Sequence, residues 1–240
     1  MKIGYTILED YDLLYDKPET LLKTTQELYK NSNIGQCIAV TDLGSKMYCI
    51  KSPHDIHLTF DKDKNVILVP EGSNVNPEFF SKYLYHQNPL ENTNHLVIQI
   101  QTKYVFVADK PCLLSTLPPF LNDPNNYDNN TRMVSGLFNI YDWQRPLSYA
   151  VEWLDTSKDL IIKKGQVLQY LYFNSENLED TFEIKFIENK DEFAKLINKC
   201  HSSRYTILSK TRDLIHKNSK SRNKNVVSEC PFTKMKFWKK

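Results

Sequence analysis

The chain has 240 residues, 40% of them hydrophobic and 12% aromatic, enough apolar material to bury a core and to exclude wholesale disorder. Its formal net charge of +2 hides an uneven distribution: residues 210–240 carry ten Lys/Arg against Asp213 and Glu229, whereas residues 1–209 hold 21 basic and 27 acidic residues. Five scattered cysteines without a CxxC pair, no apolar run of signal-peptide length at the N-terminus, and no stretch near the roughly 18–20 apolar residues of a membrane span lead us to expect a cytoplasmic protein without a disulfide framework or membrane anchor.

In chain order, Asp16 is placed to cap a helix, with Glu19 three residues on and Pro18 in the first turn. Leu21, Leu22, Leu28 and Tyr29 form one apolar stripe, so the spacing predicts a helix over about 17–31. Four short segments rich in strand formers follow, at 36–42, 46–52, 55–60 and 65–69. Turn residues at 43–45 and 61–65 separate them, which predicts an antiparallel meander. Residues 77–86, opened by Pro77, fit two helical turns or an aromatic loop. Segments 94–101 and 104–109 resume the strand pattern, with Thr102-Lys103 read as a tight connection between them.

Residues 111–131 contain Pro111, Pro118, Pro119, Pro124 and a run of Asn and Asp, and are expected to form the longest loop. Segments 133–143, 147–155, 158–165, 166–173 and 180–189 read as a second set of strands. Leu147, Tyr149, Val151 and Trp153 alternate with Ser148, Ala150 and Glu152, the signature of one buried face and one partly wet face. From Asp191 to about Lys217 the apolar spacing becomes helical, through Phe193, Ile197, Cys200, Ile207 and Leu214. The last stretch is a basic arm whose Phe232, Phe237 and Trp238 are expected to dock on something.

Together these elements predict a mainly β protein, an antiparallel sandwich or distorted jelly-roll-like barrel, with an N-terminal helix and C-terminal helices. The expected organisation is a β-rich domain over 1–189, a helical segment over 190–218 and a basic arm over 219–240.

Chemistry-bearing residues are sparse. His54 and His57 lie three apart, so on a strand they point to opposite faces and do not converge on one ion. Cys200, His201, His216 and Cys230 match the spacing of no compact zinc module, and no metal or cofactor is expected. Arg132, Asp142, Trp143 and Arg145 gather in sequence around a loop and a strand end. Two guanidinium groups and an indole suit an anionic or planar ligand. In the competing reading Arg145 pairs with Asp142, and Trp143 closes the core.

The segment Leu160 to Phe173, LIIKKGQVLQYLYF, resembles the strand–Gly–strand ending of the trimeric dUTPase and dCTP deaminase fold. The resemblance implies a nucleotide-processing β-barrel, but the Gly-Ile-Asp-type catalytic strand, the Ser-Ser-x-x-Arg phosphate site and the deaminase Glu have no counterpart here. Over residues 37–173 the chain is also similar to uncharacterised proteins of large marine tailed bacteriophages. That similarity is carried by Leu117-Pro118-Pro119, Gly136, Asn139, the corner of Trp143, Arg145 and Pro146, and the turn from Ile162 to Gly165. It implies a viral origin and a host cytoplasm, with no assigned activity.

The reading that follows is a non-enzymatic interaction protein that binds a protein partner or self-associates through its C-terminal helix and basic arm. A nucleotide-processing enzyme is the alternative. Nucleic-acid binding through residues 210–240 is a third, because Lys220, Arg222, Lys224, Lys234 and Lys236 interleave with Trp238 as phosphate-binding and base-stacking segments do.

Overall fold

A computed structural model describes residues 1–7, 16–21, 30, 37–70, 75, 77, 84–87, 95–120, 130–177 and 179–188. Among these the chain is mainly β, with strands arranged in three sheets and one α-helix.

The organising element is β7 (Leu96–Ala108), thirteen residues long. Along its first half buried and half-exposed side chains alternate, so Leu96, Ile98 and Ile100 face the core. The first sheet runs in the order β14 (Glu183–Phe186), β1 (Lys2–Ile7), β7, β11 (Pro146–Trp153), β9 (Thr131–Met133), and β6 (Leu84–Gln87) pairs with the beginning of β7. The second sheet runs β10 (Gly136–Asn139), β8 (Cys112–Leu117), β13 (Val167–Ser175), β3 (Met47–Lys51), β2 (Glu19–Thr20). A small third sheet joins β12 (Leu160–Ile162), β4 (Ile56–Asp61) and β5 (Val66–Leu68).

All three sheets contribute to one core. Ile3, Ile98 and Phe106 from the first sheet meet Leu114 and Phe173 from the second and Leu58 from the third. Aromatic edges lock the layers, with Phe106 set edge-on to Phe173 at 5.9 Å between centroids. The arrangement is sandwich-like, and the sheets do not close into a barrel among the described residues. A smaller cluster of Leu21, Met47, Cys49 and Tyr170 covers part of the other face of the second sheet.

Two glycines sit where a side chain is excluded or strained. Ile187, whose N–H donates to the Tyr5 carbonyl at 2.8 Å, crosses Gly4 so closely that a Cβ there would stand 2.3 Å from Ile187 Cδ1. Gly165 adopts φ +80° in the turn between β12 and β13, a left-handed conformation that glycine enters without a Cβ clash.

Several expected elements take another form. Residues 38–45 are helical (α1, Ile38–Ser45), not a strand and a hairpin turn. The N–H groups of Val40 and Thr41 both reach the Cys37 carbonyl at 3.1 Å, and Ile38 projects into solvent with no strand beside it among the described residues to reward its β-branching. Thr102-Lys103 is not a hairpin. A two-residue hairpin of the favoured type needs positive φ at both central residues. Only Lys103 has it, at 59°, so β7 bulges and continues. Residues 16–20 are not a helix start, because Glu19 and Thr20 pair with Cys49 and Tyr48 of β3.

The expected 111–131 loop contains β8. Its prolines bracket the strand at 111 and 118–119 rather than interrupting it. Residues 133–143 are not one strand but the end of β9, the whole of β10 and a turn. The sheets are antiparallel except for β1 and β14, which pair in parallel. Leu21, directly after β2, is helical; residues 22–29 and 31 of the expected helix, the middle of the 77–86 segment, the Asn-rich part of the loop, the 190–218 helix and the 219–240 arm lie outside the described residues.

Candidate functional site

Residues 130–145 leave the edge of one sheet and join the edge of the other. β9 is the last strand of the first sheet, held to β11 by the pairs Met133–Val151, Arg132–Glu152 and Thr131–Trp153. After two intervening residues β10 begins and pairs with β8, ending the second sheet. One short segment therefore forms the open side of both layers.

The structure sets Arg132 apart from Asp142, Trp143 and Arg145, which stay together in one turn. Arg132 stands on the rim of β9 and binds Glu152: its Nε donates to Oε2 at 2.8 Å, and its Nη2 makes a second, shorter bond to the same oxygen. The other carboxylate oxygen of Glu152 is 2.8 Å from His95 Nδ1. Glu152 is only 8% exposed, and hydrogen bonds first from Arg132 and then from His95 hold its carboxyl below the usual glutamate value. His95 and Glu152 were not among the sequence candidates. The register of β9 against β11 is what brings them to Arg132, and no local pattern encodes it.

Asp142, Trp143 and Arg145 occupy the turn after β10. Asn139 anchors that turn, accepting the N–H groups of Tyr141 and Asp142 at 3.1 and 3.0 Å through its side-chain oxygen and donating its amide to Asp142 Oδ2 at 3.0 Å. Its carbonyl takes the Trp143 N–H at 2.9 Å. Arg145 lies between two rings, with Cζ 5.3 Å from the Phe138 centroid and 5.1 Å from that of Trp143. Both rings donate their negative faces to the guanidinium, so the cation is part of the turn's own packing.

Beyond Arg132, what residues 133–141 present outward is apolar. Leu137 is 63% exposed, Val134 46% and Leu113, next to β10 on β8, 38%. Residues 133–141 and 111–122 contain no charged side chain, in a chain whose composition is 25% charged. Natural sheets blunt bare edges with charge, proline or a covering element, and this edge carries none of the three among the described residues.

Several other ionisable groups are paired with one another. His57 Nε2 is 2.6 Å from Asp159 Oδ2, and Asp155 binds Ser157 and Lys158. Among the described residues no group of three or more His, Cys, Asp or Glu side chains is gathered as a metal site would need, and no helix is long and apolar enough to cross a membrane. Lys220, Arg222, Lys224, Lys234, Lys236 and Trp238, with Cys200, His201, His216 and Cys230, lie outside the described residues.

No protein-family model matches the chain, and no curated protein matches it. The glycine turn that prompted the dUTPase resemblance is present at Gly165, between two strands that belong to different sheets.

Proposed function

We propose that the chain is a non-enzymatic interaction protein whose binding surface is the open side formed by residues 131–139. The observation that carries this reading is the exposure of Leu137 on the β10 edge, which carries no charged side chain and is uncovered among the described residues, with Val134 exposed beside it. Unpaired strand N–H and C=O groups beside exposed aliphatic side chains favour association with another polypeptide, because pairing satisfies the backbone and removes apolar surface from water in one step. The basic arm enters the proposal as a second contact through its composition. The likeness to phage proteins makes a host cytoplasm the expected setting.

The test is a photo-crosslinking amino acid placed at position 137, with one at exposed Lys158 as control. A discrete covalent product from position 137 and none from position 158 is the expected result, and removal of residues 211–240 should reduce its yield. The reading fails if position 137 gives no discrete product, or if the repurified protein turns over a nucleoside triphosphate and loses that turnover when one carboxylate is replaced.

A further inference from the structure

We draw no further inference here: the strongest candidate, the exposed aliphatic face that Val66, Leu68 and Ile161 give the third sheet, carries none because nothing in the structure shows what covers it.

Discussion

Trp153 has no exposed surface and donates its indole N–H to the Lys158 carbonyl at 3.1 Å. The ring closes the core at the end of β11, and the hydrogen bond ties that end to the turn leading into β12. Removing the ring leaves a cavity that rigid sheets cannot collapse, so Trp153→Ala should cost about 3–5 kcal/mol in urea unfolding. Trp153→Phe keeps much of the volume but loses the donor to Lys158, and about 1–3 kcal/mol is expected. If Phe were as damaging as Ala, the hydrogen bond rather than the volume would dominate.

Glu152 contributes through its ionised form. Its carboxyl titrates below the ordinary value of 4.5, chiefly because Arg132 hydrogen-bonds the carboxylate, with His95 second. A depressed folded-state value means that the stabilisation is complete above the unfolded value and is lost as pH falls through the folded one. The wild type should therefore lose stability relative to Glu152→Gln as pH drops below about 4.5, the ordinary glutamate value. At neutral pH the substitution should cost about 1 kcal/mol, a modest figure because Arg132 is largely solvated and screened. Parallel pH–stability curves for the two proteins would contradict this.

Gln169 runs the other way. Its side chain is fully buried opposite Ile50, at the bulge in β13, and neither amide atom has a hydrogen-bond partner among the described residues. Two unpaired polar atoms in an apolar layer are a standing cost, so Gln169→Met, similar in length and without polar demand, should stabilise the protein by about 1–2 kcal/mol. A loss of stability would reveal a buried partner for the amide.

Thiol reactivity should divide by burial. Burial pushes the Cys112 thiol up to about 12 and raises that of Cys49, while Cys37 is exposed before α1. In a Cys200→Ser, Cys230→Ser background at pH 8, one thiol should react at once with an aromatic disulfide reagent, and Cys37→Ser should abolish that phase. Cys49 and Cys112 should react only after denaturant is added. A second fast thiol in the native protein would contradict this assignment.

Local chemistry made much of the strand content legible. The turn at 61–65 and the alternation along 147–153 depend on neighbours a few residues apart, and both take the expected form. Residues 36–45 and 102–103 misled because β-branching and short polar links describe what a segment tolerates. In the first case no strand among the described residues pairs with the segment, and in the second only one residue has positive φ. The candidate site shows the same limit: Arg132 was legible as a cation near a strand end, but its partner Glu152 lies twenty residues away on another strand.

The sequence by itself determined that short alternating segments would bury one face each, because the two-residue period of a strand is written in the order of its side chains. Only the tertiary structure decided which segments became neighbours, that β9 and β10 would end two sheets on one side, and that Leu137 would stay in solvent. The physical reason is that strand pairing is non-local: hydrogen bonds between β-strands are identical in kind whichever strands make them, so the choice among partners is settled by the packing of the whole core.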